Sequence, residues 1–228
     1  MALALKRFSS PTDFVQSSAL FIKDVIRKSA PAYLALSGGK TPLPVYEALA
    51  NDPQFDVEQA EFFLVDERYV PLNNQDSNYV ATVKAFSAAE PFFSDHFHWF
   101  DTTRSIEGAL KAYEQELEQV PAGSFDLLIL GLGLDGHTAS LFPGGSENLE
   151  TERRVLHVVN EQAPTPPVRD RLTITWPLIL AAKQILVLVT GAEKEALVKE
   201  LVSGTKPAPE FPPAKLRGHA NTSIYYLR

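Results

Sequence analysis

The chain contains no cysteine in its 228 residues. That absence excludes structural disulfides, thiolate metal sites and cysteine nucleophiles, and it is compatible with a reducing compartment. No stretch approaches the roughly 18 consecutive apolar residues of a membrane span. The opening Met1-Ala2-Leu3-Ala4-Leu5-Lys6-Arg7 lacks the apolar core of a secretory leader, so a cytoplasmic location is expected. There is no internal repeat, and no Gly-x-Ser-x-Gly elbow of the kind that marks many serine hydrolases. Positive charge is in short supply: 21 Lys and Arg stand against 28 Asp and Glu, a net charge of −7. This argues against nucleic acid or a membrane surface as a partner. It leaves room for a small anion held by a few basic residues in one cleft.

What is present is an ordinary globular composition, 45% hydrophobic and 21% charged. Strand-like and helix-like segments alternate along the chain. Ser10-Pro11-Thr12-Asp13 combines a cap, a first-turn proline and an acid, and predicts a helix to about Lys28. Further helices are expected at Thr41 to Ala50, near Tyr79 to Phe86 with Asp76 or Ser77 as cap, at Ser105 to Gln119, and at Ala192 to Val202. Strands are expected at Ala32 to Leu36, Glu61 to Val65 (ending at Asp66-Glu67-Arg68), Phe97 to Phe100, Phe125 to Leu130, Val155 to Val159, Ile185 to Thr190 and Ser223 to Leu227. The continuous apolar runs suit strands covered on both faces. The alternation predicts an α/β fold with a mostly parallel sheet and helices on both sides. The proline-rich runs Ala163 to Val168 and Pro207 to Pro213 read as surface loops, so residues 1–228 are expected to form a single domain.

One segment carries more chemistry than the rest: Leu130-Gly131-Leu132-Gly133-Leu134-Asp135-Gly136-His137-Thr138-Ala139-Ser140. A buried strand delivers three glycines, then an aspartate and a histidine two residues apart. Imidazole, with an ordinary pKa of about 6.5, suits proton transfer near neutrality. The end of a strand in an α/β protein is where such folds bind ligands. Read blandly, it is a glycine-rich connection with a histidine on its rim. Gly131-x-Gly133-x-x-Gly136 formally fits a dinucleotide fingerprint, but that needs a long helix from the third glycine. Here Pro143-Gly144-Gly145 leaves at most a short helix from about Thr138 to Phe142.

Ser37-Gly38-Gly39-Lys40-Thr41-Pro42 lies between a strand and a helix. Its amides could converge on an anion, with hydroxyl donors from Ser37 and Thr41, or it could be a plain turn with Thr41 as cap. It is not a nucleotide P-loop, because Leu34 occupies the position of the first glycine. Asp66-Glu67-Arg68 offers carboxylates to orient a hydroxyl or move a proton, and a guanidinium to pair with phosphate; alone it is also a solvated charge cluster. Arg169, Arg171 and Lys194 are further cations near element ends, each by itself as well suited to a surface ion pair. His96-x-His98 would share one strand face, but no third ligand has metal-like spacing. His157 and His219 read as structural.

Taken together, Leu36 to Pro42, Val65-Asp66-Glu67-Arg68-Tyr69-Val70 and Gly131 to Pro143 resemble the superfamily of 6-phosphogluconolactonases and glucosamine-6-phosphate isomerase/deaminases. Arg171-Leu172-Thr173 and Gly191-x-x-Lys194 match as well, in the same order. The deaminases follow Asp-Gly-His with Ile-Ala-Phe-Asn-Glu; here that glutamate position is Phe142, and Asp-Glu-Arg replaces their Asp-Glu-Tyr. Both departures favour the lactonases. The resemblance implies a modified Rossmann-type fold and metal-independent hydrolysis of 6-phosphoglucono-1,5-lactone, with no cofactor and a small phosphosugar lactone as partner. It implies His137 as general base with Asp135 orienting it. Phosphate would lie against Ser37, Gly38, Gly39, Lys40 and Thr41, with charge from Arg171 and Lys194; Arg68 would close the pocket and Asp66 would position hydroxyls. A deaminase-type enzyme and a phosphosugar-binding module without chemistry stand as alternatives; an NAD enzyme is the weakest.

Overall fold

Ser10 caps the first long helix by accepting the Asp13 amide, and Pro11 fills the first turn. The apolar stripe Phe14, Ile22, Val25 and Ile26 is then buried on one face. The structure, a computed structural model, describes residues 3–161 and 169–228; the expected loop Ala163 to Val168 lies outside the described residues. The elements run β1 (Ala4–Phe8), α1 (Pro11–Ser29), β2 (Ala32–Leu36), α2 (Leu43–Ala50), β3 (Ala60–Leu64), β4 (Asp66–Arg68), α3 (Asn78–Ala85), α4 (Phe92–Asp95) and β5 (Phe97–His98). They continue with α5 (Ile106–Glu116), β6 (Leu127–Gly131), β7 (Val155–Val159), β8 (Asp170–Ile174), α6 (Trp176–Leu180), β9 (Ile185–Thr190), α7 (Glu195–Ser203) and β10 (Thr222–Leu227).

A 7-stranded sheet has the order β1-β10-β9-β6-β2-β3-β5, with every neighbouring pair parallel. From β1 through β2, β3 and β5 the chain steps toward one edge; from β5 through β6, β9 and β10 it steps back. Right-handed crossovers in opposite directions put helices on opposite faces, which is why the buried residues of β6 and β9 are all apolar. The direction changes between β2 and β6, which lie side by side with Leu34 opposite Leu127 and Ala35 opposite Leu128. In open α/β sheets this reversal leaves a crevice at the carboxyl ends of the strands.

Several expectations need correction. Asp66-Glu67-Arg68 does not extend β3. Val65 donates its amide to Leu36 and accepts the Ile174 amide, so the chain leaves the large sheet there. β4 then joins a 3-stranded antiparallel sheet, β4-β8-β7. Val155–Val159 belongs to this small sheet, and its outer position exposes Val159. No helix forms over 138–142; Thr138 and Leu141 pair in a short bridge instead. Within the proline-rich run 207–213, Phe211, Pro212 and Pro213 are buried, so only its first part is a surface loop. Thr41 does not cap α2, whose start carries no side-chain cap bond. Strands β1 and β8 and the short helices α4 and α6 had no counterpart in the expected elements.

Glu67 ties the two sheets' junction to α3. Its carboxylate is fully buried. Oε1 accepts the amides of Arg68 (2.6 Å) and Asn78 (2.7 Å), while Oε2 accepts the Ser77 hydroxyl (2.9 Å) and the Tyr79 amide (2.8 Å). Burial pushes this carboxyl up, against the opposing pull of those donors. The group satisfies otherwise unpaired amides at the first turn of α3. Glu67→Gln would turn an amide NH₂ toward one set of donors. Each donor stranded in this way costs about 1–3 kcal/mol, so urea unfolding should show a lower midpoint at unchanged slope. An unaltered midpoint would mean that these bonds do not hold the junction together.

Candidate active site

The crevice beside β2 and β6 holds a cavity of about 260 Å³. Its wall includes Ser37, Gly39, Lys40 and Thr41 from the turn after β2, and Gly131, Leu132, Gly133 and His137 from the loop after β6. Asp66 and Arg68 of β4, Arg171 of β8, Asn78 at the start of α3, and Lys194 beyond β9 complete it with Pro42 and Ala139. A larger hollow of about 870 Å³ lies between residues 142–152 and 156–161. It is lined by several glutamates and by neither glycine turn nor any of these cations, so the smaller cavity is the one with chemistry.

In the first turn, the Ser37 hydroxyl donates to the Ile129 carbonyl (2.9 Å), and the Thr41 and Thr190 hydroxyls lie 3.0 Å apart. The Ser37 proton is therefore spent on β6, contrary to the expectation of a donor for an anion. Gly38 is the cradle residue that does not reach the cavity wall. A Cβ there would come within 2.4 Å of the Asn78 Cβ, so glycine is needed for α3 to approach the turn. At Gly39 a Cβ would meet nothing within 4 Å, and its backbone faces open space.

The second turn builds an imidazole–carboxylate pair. Gly133 donates its amide to the His137 carbonyl at 2.9 Å, and Gly136, at φ +88°, bends the chain back. The His137 Nδ1 lies 2.5 Å from Asp135 Oδ1, which also accepts the His137 amide at 3.1 Å. A carboxylate oxygen accepts, so Nδ1 carries the proton and Nε2 is left as the basic nitrogen. Burial works to raise the Asp135 carboxyl, but the His137 hydrogen bond and charge, with backbone amides, hold it below its ordinary value. A Cβ at residue 133 would fall 2.2 Å from Nδ1 and 2.6 Å from Asp135 Oδ1, so only glycine admits this pair. Phe142 packs on the imidazole with ring centroids 4.9 Å apart. Ala139 takes a left-handed φ of +52°, a conformation that costs energy in a residue with a side chain.

Charge of both signs meets on the remaining wall. Asp66 accepts the Ser140 hydroxyl at 2.7 Å. Arg68 and Arg171 are directly paired across β4 and β8, and the Arg68 Nη1 donates to the Asp76 carbonyl at 2.6 Å. Burial lowers the Arg171 pKa, opposed first by Asp66. Burial lowers that of Lys194 too, opposed by Glu193 and Asp135, and its Nζ donates to the Leu132 carbonyl at 2.5 Å. Asn78 carries no signal in the sequence for its place here, and Ser140, though part of the segment that bears His137, is assigned no role by it. Asn78 follows a helix cap in an unremarkable segment, and only the packing of α3 on Gly38 brings it in.

The other histidines stay away. His96 Nδ1 and His98 Nε2 share the Glu61 carboxylate at 3.0 and 2.9 Å, and His98 Nδ1 meets Glu116 at 2.8 Å. His157 pairs with Asp170 at 2.6 Å. His219 bridges Thr222 (2.9 Å) and the Ala182 carbonyl (2.7 Å).

Comparison with known proteins places these features in one family. The family model described as glucosamine-6-phosphate isomerases/6-phosphogluconolactonase matches residues 11–225. A probable 6-phosphogluconolactonase of Dictyostelium discoideum is 32% identical over 222 residues, covering 93% of each chain. The 6-phosphogluconolactonase of Synechocystis sp. is 36% identical over 198 residues, 84% of this chain and 80% of that one. The crystal structure of 6-phosphogluconolactonase from Thermotoga maritima superposes with a TM-score of 0.83 at 29% identity, covering 99% of both chains. With its parallel sheet, its paired turns and a match over nearly its whole length, this chain belongs to the glucosamine-6-phosphate isomerase/6-phosphogluconolactonase family.

Proposed function

We propose that the protein, with residues 1–228 acting as one domain, hydrolyses 6-phosphoglucono-1,5-lactone to 6-phosphogluconate without a metal or cofactor. The observation that carries this is the meeting of the His137 imidazole and the turn after β2 on one cavity of about 260 Å³, with Arg171 and Lys194 in the same wall. Names of relatives and the Asp135–His137 geometry support it; Phe142, where the deaminase branch has a glutamate, offers no second proton carrier.

His137 Nε2 takes a proton from water as the water oxygen bonds to the lactone carbonyl carbon. The resulting tetrahedral intermediate collapses, the bond from that carbon to the ring oxygen breaks, and the imidazolium returns its proton to the departing oxygen. The product acid then ionises. Asp135 holds the imidazole in the tautomer this requires and stabilises the cation between the steps. The phosphate supplies a handle for Lys40, Arg171 and Lys194, fixing the carbonyl near His137. Arg68 closes the pocket and Asp66 accepts from hydroxyls. A six-membered lactone is reactive unaided, so no covalent nucleophile is needed, and general-base help of about 10²–10⁴-fold suffices.

His137→Ala should lower kcat by about two to four decades with little change in KM, followed with freshly generated lactone above the spontaneous rate. Wild-type turnover in that variant would remove the base assignment. Arg171→Ala and Lys194→Ala should chiefly raise KM, each by about ten- to a hundredfold for a lost charge-assisted bond; unchanged kcat/KM in both would take the phosphate elsewhere. Gly133→Ala drives a Cβ to within 2.2 Å of Nδ1. Its kcat should fall toward that of His137→Ala while the fold, followed by circular dichroism, stays intact.

A further inference from the structure

Few buried side-chain polar atoms among the described residues lack a hydrogen-bond partner: Arg68 Nε, Asn78 Oδ1, Thr82 Oγ1 and Trp99 Nε1. Arg68 and Asn78 both line the cavity described above. An unused buried acceptor costs stability unless something supplies a donor. Arg68 already has a part in the proposed chemistry; Asn78 has none.

The orientation of the Asn78 amide is set by its surroundings. Its nitrogen faces two acceptors, the Asp66 carbonyl at 2.7 Å and Asp66 Oδ1 at 3.3 Å. Exchanging nitrogen and oxygen would bring like against like, so Oδ1 is the atom turned away from Asp66. The residue is 2% exposed. Its main chain is fixed independently, by the Asn78 amide on Glu67 and by the approach of its Cβ to Gly38. The side chain is therefore a rigid acceptor beside a carboxylate that Ser140 holds from the other side at 2.7 Å.

We infer that Asn78 is a specificity-determining residue: its Oδ1 accepts a hydrogen bond from a ring hydroxyl of the substrate, while its amide nitrogen aims Asp66 at the neighbouring part of the same sugar. Phosphate recognition by cations cannot distinguish one phosphorylated lactone from another. A fixed pair of acceptors can, because a hydroxyl that is absent or of opposite configuration leaves a buried acceptor unpaired. The inference rests on the phosphosugar lactone reading of the site and adds which wall reads the hydroxyls.

Asn78→Ala keeps the Cβ against Gly38 and the main-chain bond to Glu67, and removes only the amide. Hydrolysis would be followed for the parent 6-phosphogluconolactone and its 2-, 3- and 4-deoxy analogues, in wild type and variant. The wild type should disfavour one deoxy analogue in kcat/KM by about three- to tenfold, the size of one hydrogen bond. In Asn78→Ala the parent should fall by a similar factor while that analogue loses little, so the preference between them collapses. Equal losses on all the lactones would make Asn78 a structural tether and overturn the proposal. Should Asn78→Ala not fold, the wild type's ranking decides: equal kcat/KM for parent and all deoxy analogues would overturn it without any variant. A wild type that speeds none of these hydrolyses would instead sink the function itself, a separate outcome.

Discussion

β2 and β6 run side by side in parallel where the strand order of the sheet reverses. Two neighbouring parallel strands end at the same edge, so the turns that follow them must open toward one crevice. One turn brings the glycines and lysine of 37–41, the other the Asp135–His137 pair. Both strands are apolar on both faces, and their register sets Leu34 opposite Leu127 and Ala35 opposite Leu128. Val65 adds the third wall. By linking Leu36 to Ile174 through its own amide and carbonyl, it sends the chain out of the large sheet and carries Asp66, Arg68 and Arg171 over the crevice.

Electrostatics within this crevice run against the molecule as a whole. The net charge is −7, yet Lys40, Arg68, Arg171 and Lys194 line the same small cavity. Burial disfavours the charged forms of Arg171 and Lys194, and nearby Asp66, Asp135 and Glu193 offset part of that cost. An entering phosphate would offset more, which gives the site a preference for anions that bulk charge conceals. The negative surroundings also oppose non-specific binding of polyanions, so selectivity for a small ligand follows from concentrating cations where only a small ligand fits.

Much of the fold was legible because local signals agreed with the tertiary arrangement. Ser10-Pro11 begins α1, Ser77 caps α3 and Ser105 caps α5, each by accepting an amide from the first turn. The apolar runs at 32–36 and 185–190 are central strands because nothing but burial suits them. The small sheet was not legible. β4 is three residues long and charged, and β8 carries Asp170 and Arg171, so neither shows the alternation or apolarity by which strands are recognised. The stretch 138–142, for which the sequence allowed at most a short helix, forms none. The Thr138 hydroxyl donates to the Gly131 carbonyl, and the left-handed Ala139 breaks the helical path, so the loop closes on itself and keeps His137 over the cavity.

The candidate site divides along the same line. Glycine and histidine spacing marked Asp135 and His137 as a pair that a tight turn could bring together, and the resemblance implied that one orients the other; the 2.5 Å contact between them is seen only in the folded turn. Spacing likewise marked 37–41 as a turn able to approach an anion. Only the tertiary structure decided that these turns share a crevice, that the Ser37 hydroxyl is spent on β6, that Asn78 and Arg171 join the wall, and that Ser140 holds Asp66 from behind it. Those placements depend on residues 40 to 103 positions apart in the chain meeting through sheet order and helix packing (Arg68 opposite Arg171, Gly38 against Asn78). A linear pattern records what a residue can do; which partners it will meet is set by the non-local pairing that burying the core enforces.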